Sequence, residues 1–221
     1  MTKQILLTGA HGYIGSFLYR KLSKKFAITK IDKEFNFNDE KDFNKLMNKN
    51  YYSIIFAHGY NSTPLINSKK KELINEIEIS KYLEINFYLN LKIIKKYIQT
   101  NTSGRVINFS SIYGVKSPKH FLYKNFNKEI GYSVSKAATN MMMKYFGTKL
   151  GKKFLFNSII LGGVKGQKLN KFFIKNYKKN TPLGRMINLE EILPVVEFLL
   201  DIKNTQTNAQ EIVVDGGWLS W

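Results

Sequence analysis

The sequence predicts a doubly wound α/β fold of the Rossmann type: a parallel sheet in one domain, with helices on both faces. Three observations carry that reading. Short apolar runs alternate with longer helical stretches along all 221 residues, the pattern of strands linked by crossover helices. The first apolar run ends in a glycine-rich loop that opens a helix. A YSVSK segment, Tyr132 to Lys136, begins 21 positions after another run that ends in Ser110 and Ser111.

The first run, Gln4–Leu7, is a strand that leads into Thr8-Gly9-Ala10-His11-Gly12-Tyr13-Ile14-Gly15, and a helix is expected over Ser16–Lys25. Backbone N–H groups in such a loop, together with the positive end of the helix, suit a pyrophosphate. Gly9 is placed for the tight turn, Gly12 for close approach of the phosphates and Gly15 for helix-on-strand packing. His11, Tyr13 and Ile14 share the loop and are expected to touch the same ligand. Strand Ala27–Ile31 is closed by Asp32, near the distance at which a carboxylate meets an adenosine ribose. Almost no room for a helix remains between Asp32 and Asp39-Glu40-Lys41, so this edge of the sheet is expected to be trimmed. A helix over Glu40–Asn48 follows. Strands Ser53–Phe56, Arg105–Phe109, Leu155–Ile160 and Glu211–Val214 then alternate with helices Ile79–Gln99, Tyr132–Leu150 and Leu189–Asp201. No repeat, Pro-rich linker or low-complexity tail marks a second domain.

Tyr132 and Lys136 are four apart on a helix and therefore share a face. An ammonium there favours the ionised phenol, and a phenol tuned in this way trades protons near neutral pH. Either Ser110 or Ser111 could join them, because adjacent strand residues point to opposite faces.

With both halves in view, the chain resembles the short-chain dehydrogenase/reductase family from residue 3 to its last residue. Ala57-His58-Gly59 resembles the family's NAG segment beside the cofactor, and Asn86 its helix asparagine. Ser111 matches the catalytic serine, and Tyr132 with Lys136 the YxxxK pair. Pro182-Leu183-Gly184-Arg185 and Val213-Val214-Asp215-Gly216-Gly217 match the C-terminal signature. The glycine spacing is that of the larger, nucleotide-sugar-modifying branch, whereas the C-terminal third is that of the compact branch. The usual Pro-Gly at the nicotinamide edge is replaced by Leu161-Gly162-Gly163.

The resemblance implies an NAD(P)-dependent oxidoreductase. Tyr132 would carry the proton, Ser111 would polarise the carbonyl oxygen, and Lys136 would lower the phenol pKa and hold the nicotinamide ribose. Asn86 would hold a water linking Lys136 to solvent. Asp39, Ala57, His58, Gly59, Gly162 and Val164 complete the expected cofactor contacts. Asp32 accepts from a free ribose 2′-OH and repels a 2′-phosphate, which favours NAD. Lys33 and His11 offer positive charge to NADP.

Composition bounds the remaining classes. The chain has no cysteine and three separated histidines, His11, His58 and His120, so disulfides and thiolate chemistry are excluded and no metal-ligand spacing is present. The net charge of +19 attracts anions. Only Arg20, Arg105 and Arg185 are arginines among 35 basic residues, and the lysine clusters Lys69-Lys70-Lys71 and Lys178-Lys179 have the character of solvated helix faces. A nucleic-acid partner is not expected. Neither a signal-peptide stretch nor an 18-residue apolar span is apparent, so no membrane partner and a cytoplasmic location are expected.

The segment 112–131 is a candidate lip over the substrate, carrying Lys116, Lys119, His120, Tyr123, Lys124 and Lys128. Together with the C-terminal signature it is similar to family members of surface-sugar and flagellin-glycan pathways. The leading expectation is reduction of a keto group on an activated or acidic sugar. A general ketone or acyl-chain reductase, a sugar-nucleotide epimerase or dehydratase, and a non-catalytic dinucleotide sensor stay open. Apolar helix faces point to a homodimer or homotetramer, with Ile85, Leu89, Ile93, Met142, Phe146 and Leu150 as candidate contacts, some of which must face the sheet. Met141-Met142-Met143 is expected in packing or subunit contact, and Val213–Trp221 is a second candidate surface between subunits.

Overall fold

Six strands, β1 (Gln4–Thr8), β2 (Ala27–Ile31), β3 (Ser53–Phe56), β4 (Gly104–Ser111), β5 (Phe154–Leu161) and β6 (Glu211–Val214), form one sheet. The structure is a computed structural model and describes residues 2–62, 75–123, 128–166 and 169–221. Every pairing is parallel and the order is β2-β1-β3-β4-β5-β6. The central strands are apolar without alternation because helices cover both their faces. All four residues of β3 are buried, whereas the edge strands are more open: Ile31 is the one buried residue of β2, and β6 has half-buried and exposed positions only.

Among the described residues, seven α-helices supply that cover: α1 (Tyr13–Leu22), α2 (Glu40–Met47), α3 (Glu76–Leu83), α4 (Leu89–Thr100), α5 (Ile130–Leu150), α6 (Lys171–Lys179) and α7 (Leu193–Leu200). Period-2 alternation divides the core. Ile5 and Leu7 pack with Phe17 and Leu18 of α1 and Val196 and Leu199 of α7, while Leu6 faces the opposite layer with Phe43, Ile93, Tyr97 and Met142. The chain leaves β1 toward β2, then returns to pair β3 on the other side of β1. The crevice outside the carboxyl ends of β1 and β3 is therefore the topological switch point, where open α/β sheets bind ligands.

Several boundaries move, each for a local reason. α1 begins at Tyr13 because Gly12 already serves as its N-cap. The expected Ile79–Gln99 helix starts earlier, where Asn75 caps α3 by accepting from the Glu78 N–H at 3.1 Å. It is interrupted by a π-helical turn, Glu84–Tyr88. α7 is preceded by a 3₁₀ turn, Leu189–Glu191, held by an Asn188–Glu191 capping box. α6 lies beyond the sequence expectations; Asn170 starts it by accepting from the Phe172 N–H. Lys178 and Lys179 are exposed on its last turn, whereas Lys69-Lys70-Lys71 lie outside the described residues. The segment between Asp32 and α2 holds no helix or strand, so β2 is the edge of the sheet, trimmed as expected.

The surface between helices also differs from expectation. Ile93 and Met142 are core residues of this subunit, and Leu89, Phe146 and Leu150 pack against that core, with Ile85 half-buried. The apolar side chains exposed on this face are instead Tyr88, Val134, Met141 and Tyr145. Trp218 is fully buried in its own chain, 5.9 Å from the Tyr113 ring and 6.4 Å from the Tyr177 ring. Only Trp221 of the two tryptophans projects outward.

A Cβ built on Gly15 would lie 2.0 Å from the Gly9 carbonyl oxygen. Gly15→Ala gains about 1 kcal/mol of helix propensity but overpacks backbone on backbone, at about 1–3 kcal/mol. The urea midpoint is expected to fall, and an unchanged or raised midpoint would show that α1 shifts freely away from the loop.

Candidate active site

Gly9 turns the chain after β1 with φ +67°, a left-handed conformation that favours glycine, and a side chain there would meet the His58 backbone N at 2.5 Å. The loop folds back so that the Gly12 N–H donates to the Gly9 carbonyl at 3.0 Å. A Cβ on Gly12 would meet only the Gly9 oxygen, at 3.2 Å, so its other side is open to a ligand. Ile14 is directed inward and packs on the core under the loop. Tyr13 is exposed and donates from its hydroxyl to the Lys165 carbonyl at 2.6 Å, joining this loop to the segment after β5.

Asp32, at the end of β2, accepts from the His11 N–H at 2.7 Å and the Lys33 N–H at 2.8 Å. Burial pushes its carboxyl up, but the two backbone bonds and the neighbouring charges outweigh burial and hold it below the ordinary value. The His11 ring faces Glu34 at 3.7 Å. His11, Asp32 and Glu34 thus bring ligand atoms within 4.8 Å of one another, a cluster that sequence spacing did not reveal. Asp39 is engaged in capping α2, its Oδ1 accepting from the Lys41 and Asp42 N–H groups, both at 3.0 Å. A cleft of about 500 Å³ opens past Asp32, lined by residues that include Lys33, Phe35, Phe37, Ile85 and Tyr88.

Ala57-His58-Gly59 follows β3. The His58 Nε2–H donates to the Ile85 carbonyl at 3.1 Å, which leaves Nδ1 to accept from the Thr8 hydroxyl at 2.6 Å. Burial, joined by the positive charge of Lys136, brings its pKa down to about 4, so the ring is neutral. His58 is thus a strut between β1, β3 and the π turn. On that turn, Asn86 accepts from the Tyr60 N–H at 2.6 Å and donates to the Tyr60 carbonyl and the Ser135 hydroxyl. Both amide hydrogens of Asn86 are therefore taken by protein groups, and its backbone carbonyl accepts from Asn90.

Tyr132, Ser111 and Lys136 meet at the end of β4. The Ser111 hydroxyl accepts from the Tyr113 N–H at 3.2 Å and interacts with the Tyr132 phenol. Ser110 is also buried, but its hydroxyl has no hydrogen-bond partner among the described residues. The Lys136 ammonium donates to the Phe109 carbonyl at 2.9 Å and stands 5.9 Å from the centre of the Tyr132 ring. Burial lowers its pKa to about 8. Burial raises the Tyr132 pKa, and the Ser111 side chain acts in the opposite direction. Gly59 lies alongside, where a side chain would approach the Lys136 Nζ to 3.4 Å.

The segment 112–131 behaves unevenly. Lys116 donates to the Trp221 carbonyl, and Lys119 donates to Asn180 while standing over Trp218 at 4.8 Å. Tyr123 donates to the Tyr113 hydroxyl, His120 is exposed, and Lys124 lies outside the described residues. Lys128 turns inward, with its Nζ 4.0 Å from the centre of the Tyr132 ring and a hydrogen bond to Asn61 Oδ1. Sequence reasoning placed Lys128 only in the lip, although its position four residues before Tyr132 mirrors that of Lys136 four after. Beyond β5, the Gly162 N–H donates to Val214, the Gly163 N–H to the Tyr177 hydroxyl, and Val164 bridges Ile187.

A family model described as enoyl-(acyl carrier protein) reductase matches residues 55–219. The chain belongs to the short-chain dehydrogenase/reductase family. It is an NAD(P)-dependent oxidoreductase of that family. It is 31% identical over 126 residues to the post-translational flagellin modification protein A of Campylobacter coli, covering 56% of this chain and 49% of that protein. The match thus spans about half of that relative. It is 27% identical over 241 residues to a 3-oxoacyl-[acyl-carrier-protein] reductase of Rickettsia bellii, covering 97% and 95%. Its fold matches a short-chain dehydrogenase of Leptospira borgpetersenii with bound NAD⁺ at TM-score 0.84 and 23% identity, covering 99% and 93%. The open side of Gly12, the bare Gly59 and the fixed Asp32 carboxylate fit a dinucleotide cofactor. Among the described residues, no helix is long and apolar enough to cross a membrane.

The buried neutral His58 yields a pH prediction. In the unfolded chain it takes up a proton near pH 6.5, in the folded chain only near 4. Its contribution to stability is therefore complete above 6.5 and is lost as pH falls toward 4. In urea titrations between those limits, His58→Asn is expected to flatten the acid limb by on the order of 2 kcal/mol. Parallel curves for wild type and variant would mean that His58 protonates freely in the fold.

Proposed function

We propose that this protein is an NAD(H)-preferring reductase of a keto group on an activated or acidic sugar. The observation that carries the catalytic part is the convergence of Ser111 and Lys136 on the half-buried Tyr132, beside the glycine-lined crevice. Gly9, His11, Gly12, Tyr13, Ile14 and Gly15 would hold the pyrophosphate end of the cofactor. Asp32 would take the adenosine ribose, with Asp39 toward the adenine. Ala57, His58 and Gly59 with Gly162 and Val164 would flank the nicotinamide half, whose ribose Lys136 would hold. The cofactor, when bound, supplies the hydride.

Tyr132 would give its proton to the carbonyl oxygen, and Ser111 would donate a hydrogen bond to the same oxygen. The raised phenol pKa keeps Tyr132 protonated at neutral pH, the state a reductase requires. Asn86 would act as a positioning residue, since its amide ties the π turn to Tyr60 and Ser135. The negative charge that backbone N–H bonds maintain on Asp32 favours a free ribose 2′-OH over a 2′-phosphate. The basic segment before Tyr132 and the relative named for flagellin modification support an anionic sugar. A second reading, a 3-oxoacyl thioester reductase, is favoured by the Rickettsia relative, which matches along 97% of the chain. The exposed Tyr88, Val134, Met141 and Tyr145 support assembly through the α4 and α5 faces into a homodimer or homotetramer.

Consumption of NADH and NADPH, followed by absorbance with keto-sugar nucleotides, keto-sugar acids and acetoacetyl thioesters, tests both readings. Turnover confined to thioesters would replace the sugar reading, and a strong NADPH preference would remove Asp32 from the ribose. Tyr132→Phe is expected to cost on the order of 10² or more in turnover with NADH affinity little changed. Substantial residual activity would move the proton donor elsewhere. Light scattering at low micromolar concentration tests assembly, and a clean monomer mass would refute it.

A further inference from the structure

We propose that Lys128 is a specificity-determining residue, whose ammonium receives an oxyanion of the substrate beside the Tyr132 phenol. The inference rests on the reading of this crevice as a reductase site for an anionic sugar. It names the group that recognises the anion.

Position comes first. The Lys128 Nζ stands 4.0 Å from the centre of the Tyr132 ring, and its hydrogen-bond acceptor is a neutral amide, Asn61 Oδ1. The Lys136 ammonium faces the same ring at 5.9 Å and donates to the Phe109 carbonyl. A carbonyl oxygen bonded to the phenol would place the neighbouring carbons of its substrate within reach of Lys128.

Charge comes second. Among the described residues, no carboxylate forms a salt bridge with Lys128. A half-buried ammonium whose hydrogen-bond acceptor among the described residues is a neutral amide is poorly compensated, and a ring face and an amide oxygen replace only part of its hydration. A carboxylate or phosphate arriving with the substrate would supply the missing counter-charge. Burial lowers the Lys128 pKa to about 8, Glu129 beside it in the chain acting upward and Lys136 downward. The free site therefore carries a mostly charged Lys128 at neutral pH, and a bound oxyanion would hold that charge to higher pH.

The neighbouring cations are engaged elsewhere. Lys116 and Lys119 are turned to Trp221 and Asn180. Lys128 is therefore the cation that the segment before α5, as far as it is described, brings to the phenol.

The test uses the full chain with saturating NADH and two probes, D-tartrate and inorganic phosphate, titrated by calorimetry into wild type, Lys128→Arg and Lys128→Gln. Wild type is expected to bind at least one probe saturably, with affinity falling as pH rises through about 8. Lys128→Gln is expected to weaken that binding tenfold or more, and Lys128→Arg by less than about threefold, with NADH affinity equal in all three. Equal probe affinity in wild type and Lys128→Gln, or no saturable binding by wild type, would overturn the proposal. Probe binding that depends on Lys128 without turnover of any keto sugar would sink the proposed reaction and leave this inference standing. Turnover of keto-sugar acids undisturbed by Lys128→Gln would do the reverse.

Discussion

The carboxyl edge of this sheet depends on the absence of two Cβ atoms. Gly9 and Gly15 let the first loop, the first helix and the backbone after β3 occupy a space that any side chain would fill. That contact brings His58 under the loop, where its two ring nitrogens bridge Thr8 and Ile85. Through Ile85 the bridge reaches the π turn, and through Asn86 the turn reaches Tyr60 and Ser135 on α5. The loop that suits phosphate and the helix that carries Tyr132 and Lys136 are thus held by one continuous set of hydrogen bonds. A π turn inserts one residue into the helical repeat, and here the interruption gives Asn86 its inward position.

The site gathers positive charge where water is scarce. Lys128 and Lys136 both have pKa values near 8 because burial disfavours their charged forms. The phenol between them is pushed the other way, toward retaining its proton. In that state Tyr132 can act as an acid, and the two ammonium groups are poised to respond to whatever negative charge enters. A cofactor or a substrate would change these proton affinities together, since all three groups share one ring.

Most of the sheet was legible because each strand is a short apolar run bounded by glycine, asparagine or charge, and β2, β3 and β6 match their expected limits. What escaped depends on three-dimensional placement. The KFFIKNYKK stretch of α6 is rich in lysine and carries one buried residue, Tyr177, so its pattern resembles a solvated loop. A single-residue π insertion hardly disturbs the average periodicity of the long stretch that contains it. The i,i+4 spacing put Tyr132 and Lys136 on one face, but it could not say that the ammonium would turn to the Phe109 carbonyl. Adjacent serines likewise left two candidates until Ser111 met the phenol. Lys128 gave only its spacing as a signal, because its neighbour Asn61 lies 67 positions away.

The trimmed edge has a consequence for association. Among the described residues, ending the sheet at β2 leaves one side of a five-residue strand without a neighbouring strand, and the opposite edge, β6, has four residues. Open edges invite another strand to add, and short length with charge is a usual guard. Both guards are present: Lys30 on β2 lies over the Tyr19 ring at 4.4 Å, and Glu211 on β6 is paired with Lys144 at 2.6 Å. The outermost strands thus carry two of the features that discourage strand-by-strand stacking between molecules.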